Sequence, residues 1–462
     1  MNGTGGEARW CDLLVRNAHV VTCDAKGATY PAGAVAIQGR DIAAVGPEGE
    51  VTSRYRAKRT IDAGGGLVHP GLIDLHYHVT YHMVGKMIAE VDFGGEDPGP
   101  WVAKQYTGLI NALDDEAEYA NSLLCGLDML KCGVVAVMDP GSAFEPENIA
   151  RAADSLGFRA SVADPWIMDE RGPQLTDIKR AKVGREIALK GLGKQLARNR
   201  DPDARVRAHV SVYGMGNDSD ELRLAAKRVA DEAKVPFNMH QSQSVDDAEF
   251  DDRRFGKHPL VHFREIGLLG RNCVFVHMNV LREDEYDPVV AAGMSVVWSP
   301  TNSWYYGTRA RIRNPMPALH KRGVNVTIGL DVSKAASFGD QMYSAYVLAR
   351  DQGDYVSPED LLRMQTANGA RALGQADRLG SLEPGKRADV VIRTNDVPEA
   401  WPRHNFVRHH LLIAKQRSVD TVIVDGEVLI KGGRTTRMDE GEVYALAETT
   451  ARTMRQRAGL EG

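Results

Sequence analysis

The chain has 462 residues, of which 43% are hydrophobic and 26% charged, and a formal net charge of -5. That length exceeds what one compact core usually supports, so two structural units are predicted. The small acidic balance, with no block of Lys or Arg, argues against nucleic acid or an anionic membrane as partner. Five cysteines at irregular spacings without a CxxC pair predict reduced thiols in a cytoplasmic protein. The first residues carry no signal-peptide pattern, and no apolar run approaches the roughly 18 residues of a membrane span.

From Cys11 to about Ile61 the runs "DLLVRNAHVVTC", "AGAVAIQGRDIAAVG" and "RTIDAGGG" alternate apolar and polar residues between glycines, which predicts small antiparallel strands. The runs "RADVVIRT" and "VDTVIVDGEVLIKGG" near the other end have the same texture. The two ends are therefore predicted to pair into one discontinuous β-domain, residues 1–69 with 384–462, followed by an exposed C-terminal helix.

The middle, residues 70–383, carries eight short apolar runs separated by helix-like segments: "GLIDLHYH", "GVVAVMDPG", "FRASVADPW", "RVRAHVSVYG", "VPFNMHQSQ", "NCVFVHMNV", "MSVVWSPTN" and "GVNVTIGLDVS". Eight βα units in about 300 residues predict a TIM barrel. The notable polar residues end these runs, at the barrel face that carries active sites. His76 and His78 end the first run, and their i, i+2 spacing puts both imidazoles on one face of a strand. His240 ends the fifth run, His277 the sixth and Asp331 the eighth. Neutral imidazoles with one carboxylate suit Zn²⁺ or a similar first-row ion, with a position left for water. His82, in the loop after the first strand, lacks that strand-end placement and reads as a surface or core residue, with reach to the pocket mouth as the alternative. Trp101, Trp166, Trp304, Tyr305 and Tyr306 lie where loops would wall the site, and aromatic walls suit an aryl or alkyl substrate.

Together "VHPGLIDLHYH", "HQSQ", "VHMN", "SPTNS", "IGLDVS", "MQTANGARALG" and "LGSLEPGKRADVVI" resemble the amidohydrolase superfamily over nearly the whole chain. The resemblance implies a metal-dependent hydrolase in a distorted (β/α)8 barrel with a small discontinuous β-sandwich domain. It also implies a homo-oligomer. The fourth run has no lysine that could be carbamylated, so the likeness is to the mononuclear branch of triazine hydrolases and cytosine or guanine deaminases. By that likeness His76, His78, His240 and Asp331 would hold one divalent ion, zinc first and Co, Mn or Fe as alternatives. His277 would hydrogen-bond water or substrate, and Asp331 would take the proton from the attacking water. Asn302 of "SPTNS" is expected among the substrate-binding residues.

Two departures shape the functional expectation. Deaminases of this branch show His-x-x-Glu, where the acid protonates the ring nitrogen; here Gln243 stands in that position, and an amide cannot shuttle a proton at neutral pH. Asn238, two residues before His240, gives an Asn-x-His pattern similar to the phenylurea and molinate hydrolase subgroup and is expected to touch substrate. The sequence thus favours cleavage of a C–N bond in an amide, aryl urea or (thio)carbamate. Deamination or dechlorination of an N-heterocycle such as an aminotriazine or nucleobase is the alternative, and a catalytically silent scaffold is the reading from another class.

Overall fold

The computed structural model describes residues 8–88, 99–172, 177–307 and 312–460. All eight apolar runs contain strands. Leu72–Asp74, Val134–Met138, Arg159–Val162 and Val206–Ala208 pair in parallel as one sheet, and Val210–Gly214, Phe237–Gln241, Cys273–His277, Ser295–Trp298 and Asn325–Ile328 as another. Runs such as "VVAVM" and "CVFVH" are buried on both faces, as expected for parallel strands flanked by helices. The fourth run supplies a strand to each sheet, and at its bend the His209 N–H donates to the Val162 carbonyl at 3.0 Å. On the opposite side the Leu75 N–H donates to the Ile328 carbonyl at 3.2 Å, and Tyr77 bridges Asp331 in parallel. The result is a distorted barrel of parallel strands.

The chain ends form a separate nine-stranded sheet. Leu67–Pro70 pairs antiparallel with Val390–Arg393, joining the two ends of the sequence where they meet the barrel. The expectation of a purely antiparallel sheet needs correction, because Arg9–Val21 runs parallel to both Tyr55–Asp62 and Leu67–Pro70. Helix Glu48–Arg54 makes the crossover that brings Tyr55–Asp62 back in the parallel sense. Leu13, Val35 and Ile37 from one end and Val390, Ile392 and Ile423 from the other share one apolar layer.

This sheet is clamped to the barrel by charge. Arg159, on the third barrel strand, gives Nε to Asp389 Oδ2 at 2.7 Å and Nη2 to Asp425 Oδ1. Asp425 also accepts from Arg205 at 3.0 Å and from Arg40 at 2.6 Å. The C-terminal helix, Glu440–Ala458, is largely exposed as expected and buries one narrow face through Val443, Ala447 and Met454. Its Ala447 and Met454 join Leu109, Leu113 and Ala117 in one apolar cluster, and Lys131 pairs with Glu440 at 2.8 Å.

Candidate metal centre

Five side chains from the ends of four barrel strands meet at one point. The ring of His76 lies 5.0 Å from that of His78, 4.8 Å from His240 and 5.3 Å from His277, centroid to centroid. Asp331 Oδ1 is 3.4 Å from His78 Nε2 and 3.7 Å from His76 Nε2. Ligand atoms of His76, His240 and His277 all lie within 4.8 Å of one another, as do those of His76, His78 and Asp331. All five residues are buried.

Local sequence explains the convergence. The small Gly214 and Gly329 let neighbouring strands approach the histidine strands: a Cβ at Gly214 would sit 1.9 Å from the His240 carbonyl oxygen, and one at Gly329 2.7 Å from the His76 nitrogen. His277 and Asp331 both take left-handed backbone angles, φ 72° and 71°. Such angles are unfavourable for residues with a side chain and concentrate at functional sites. Asp74 braces the first strand against the eighth, accepting from the His76 N–H at 2.9 Å, the Leu330 N–H at 3.0 Å and Gln341 Nε2 at 2.9 Å.

The donor atoms fit a cation. His76 Nδ1 and Nε2, His78 Nδ1, His240 Nε2 and His277 Nδ1 are buried without a hydrogen-bond partner, a costly state for polar atoms that a ligand normally relieves. His240 Nδ1 lies 2.7 Å from the Tyr213 carbonyl, which makes it the protonated nitrogen and leaves the Nε2 lone pair free. Burial lowers the imidazoles, to about 4 for His76 and His240 and about 3 for His277, so they are neutral donors at pH 7. Burial would raise Asp331, yet Lys334 and the surrounding imidazoles hold its carboxyl well below the usual range. Neutral imidazoles with one carboxylate are a donor set for a divalent first-row ion.

Of the expected pocket residues, Asn302 reaches the centre directly, its Nδ2 donating to Asp331 Oδ2. Trp166 is buried in a stack that runs from Phe144 through Trp166 to Tyr213, with centroids 5.3 and 5.4 Å apart, and Tyr213 lies 4.9 Å from His240. Tyr305 packs edge-on to Tyr306, whereas Trp304 is 47% exposed. Trp101 lies against the cluster that contains Tyr81 and Trp166. The Asn238 amide is taken up by neighbouring strands, donating to the Val274 carbonyl at 2.9 Å and accepting from Ser211 Oγ at 3.3 Å. Gln243 is held through its backbone, its N–H donating to Asp247 at 2.9 Å and its carbonyl accepting from Asn279 at 3.0 Å. Of the two readings of His82 the structure bears out the core one: it is buried, 2.6 Å from the Tyr77 hydroxyl and 2.8 Å from Lys86 Nζ.

The sequence reading passed over two groups. Tyr81 stacks on His78 with centroids 5.3 Å apart, and Tyr106 packs edge-on to Tyr81 at 5.9 Å. Lys334 Nζ sits 3.3 Å from Asn302 Oδ1. Lys334 had a visible signal, its position three residues after Asp331; Tyr106 had none, being one tyrosine on a helix between strands.

Among known proteins, the model described as the Amidohydrolase family matches residues 67–429. The chain is 31% identical over 453 residues to a 5-methylthioadenosine/S-adenosylhomocysteine deaminase of Desulforudis audaxviator (strain MP104C), covering 96% of this chain and 99% of the relative. An adenosine deaminase structure from Xanthomonas campestris with bound zinc is similar in fold, with a TM-score of 0.86 at 24% identity over 97% of this chain and 100% of that one. So is the zinc complex of atrazine chlorohydrolase from Arthrobacter aurescens TC1, with a TM-score of 0.80 at 21% identity over 95% of this chain and 100% of that one. The chain belongs to the amidohydrolase family and is a metal-dependent hydrolase of carbon–nitrogen bonds.

Proposed function

We propose that this enzyme hydrolyses the exocyclic C–N bond of an aminated nitrogen heterocycle, releasing ammonia. The observation that carries the reading is the meeting of His76, His78, His240 and His277 with a single carboxylate, Asp331, at the barrel mouth. The relative named a deaminase, aligned over nearly its whole length, supports the heterocyclic amine over the urea or anilide that the sequence favours.

In this reading His76, His78, His240 and Asp331 would hold the ion, zinc being the first candidate. When bound, the ion supplies Lewis acidity that brings a water molecule's pKa towards neutrality. Asp331 is ionised, and its Oδ2 is occupied by Asn302. Oδ1 is therefore the oxygen that faces the ion's place, and in this reading the Asp331 carboxylate accepts the proton from the attacking water and returns it to the departing nitrogen. His277 hydrogen-bonds the water or the substrate. Gln243 offers a hydrogen bond to the ring without delivering a proton. Tyr81, Tyr106 and Tyr213 provide flat apolar walls for the ring.

Hydrolysis of an amide or urea is the second reading, and Gln243 favours it, because those substrates need no acid aimed at a ring nitrogen. Product analysis separates the two. Zinc-loaded protein should release ammonia from 5-methylthioadenosine, S-adenosylhomocysteine or a smaller aminated purine or pyrimidine. Release of aniline from anilides or phenylureas, with no ammonia from any heterocycle, would establish the second reading.

A further inference from the structure

We propose that Lys334 is the specificity-determining residue of this site, and that its ammonium binds an oxygen acceptor, a carbonyl or a carboxylate, carried by the heterocyclic substrate. The proposal rests on the deaminase reading and names the substrate class within it.

Lys334 lies in the loop after the eighth barrel strand and is half-buried. Its Nζ is 5.2 Å from the ring centroid of Tyr306 and 5.8 Å from those of Tyr106 and Tyr305. Helix Gly99–Asn111 supplies Tyr106, and helix Pro300–Tyr305 with the residue after it supplies the other two. Aromatic faces at this range attract a cation and fix its position. They do not take up its N–H groups as an oxygen would. An ammonium has three donors, and among the described residues only Asn302 Oδ1, at 3.3 Å, accepts one. Among the described residues no carboxylate pairs with it directly, and Asp331, the negative charge that acts on it, is reached through Asn302.

The position places this donor beside the reacting carboxylate. Asn302 takes the hydrogen bond from Lys334 on its oxygen and gives one to Asp331 from its nitrogen, so the ammonium is one side chain away from Asp331. Asp331 is the sole carboxylate among the converging groups, and Gln243 is neutral. With neutral imidazoles, a divalent ion bound there would leave the pocket with a net positive charge. Such a pocket favours a ring that brings negative charge or a strong dipole, and a partly desolvated ammonium with donors still to be satisfied discriminates against a bare ring. An oxygen substituent also draws electrons from the ring, which eases attack by water where Gln243 supplies no proton.

The test uses the full-length, zinc-loaded enzyme and the variants Lys334→Met and Lys334→Arg. Substrates are 4-aminopyrimidine, its 2-oxo and 2-carboxylate counterparts, and the matching aminopurines without and with a ring carbonyl. Wild type should prefer an oxygenated ring by roughly tenfold or more in kcat/KM. Lys334→Met should erase most of that preference through KM, Lys334→Arg should keep much of it, and zinc content should hold in both. The carbonyl and carboxylate arms show which oxygen is read. Calorimetric binding of the deaminated oxo product to metal-depleted protein should weaken in Lys334→Met and recover in Lys334→Arg. If wild type deaminates but Lys334→Met lowers kcat equally on every ring, or loses zinc, Lys334 is a brace for Asn302 and Asp331 and the proposal is wrong. If wild type releases no ammonia from any ring, the deaminase reading itself falls.

Discussion

Asn302 holds one oxygen of Asp331 and thereby assigns the other: Nδ2 donates to Oδ2, while Oδ1 lies 3.4 Å from His78 Nε2 and 3.7 Å from His76 Nε2. The carboxylate cannot rotate freely, so the lone pairs of Oδ1 are fixed with respect to the imidazoles. Partners that orient a carboxylate in this way typically matter by 10- to 100-fold. Asn302→Ala should lower kcat by about that factor while the zinc content of the purified protein stays near one per chain. A variant that purifies without zinc would show that Asn302 assembles the ligand set instead of orienting Asp331.

His240 and His277 should separate in their effects although their rings lie only 5.6 Å apart. The Tyr213 carbonyl fixes His240 as an Nε2 donor, and its removal by His240→Ala should abolish both zinc retention and turnover. His277→Asn leaves His76, His78, His240 and Asp331 in place. It should keep most of the metal and lose turnover by about 100-fold, as for a polarising hydrogen-bond donor. Zinc analysis after dialysis decides the matter: a metal-free His277→Asn protein would make His277 a ligand.

The clamp between barrel and end sheet gives a prediction for stability. Burial would raise the Asp425 carboxyl, but Arg159, Arg40 and Arg205 outweigh it and hold the group at about 2. A carboxylate with a depressed folded pKa stabilises the fold above its unfolded value near 3.8, and that contribution fades as the pH falls towards 2. The shift corresponds to about 2 kcal/mol at neutral pH. Asp425→Asn should cost more, about 3–5 kcal/mol, because it leaves the buried Arg159 short of a partner. Urea denaturation at pH 7 should show this difference, and it should narrow between pH 4 and 2. A gap that stays constant through that range would mean the charge of Asp425 is not what stabilises the clamp.

The barrel and the meeting of its histidines with Asp331 were legible because both depend on local pattern. Runs such as "CVFVH" specify buried parallel strands, and a histidine or aspartate at the end of such a run has nowhere to point but the mouth. His82 stood apart from that pattern because it ends no apolar run, and helix His82–Met87 turns it towards Tyr77 and Lys86. The parallel pairing of Arg9–Val21 with Tyr55–Asp62 was illegible, since alternation marks a strand but not its neighbour or direction. Asn238 shares a strand face with His240, yet Val274 and Ser211 use up its amide, which spacing alone does not reveal. Lys334 acquires its place only when Tyr106, more than 200 residues away in sequence, is folded against it.

Gln243 offers the sharpest test of how protons move in this site. Its backbone is fixed by Asp247 and Asn279, so Gln243→Glu changes the side-chain chemistry with little change in loop position. A carboxylate there would be attracted to the bound cation and could occupy the place of water or substrate. It would also add negative charge to a pocket whose proposed substrate brings an oxygen with negative or partial negative charge. Both effects lower activity on oxygenated rings, and we expect no gain beyond a few-fold on any substrate. The measurement is the pH dependence of kcat/KM for rings with and without the oxygen substituent. A strong rise in deamination of bare rings, with a new limb where the glutamic acid loses its proton, would show that proton delivery limits the native site. In that case the native substrate is not one that an oxygen substituent activates, and the role given to Gln243 would have to be abandoned.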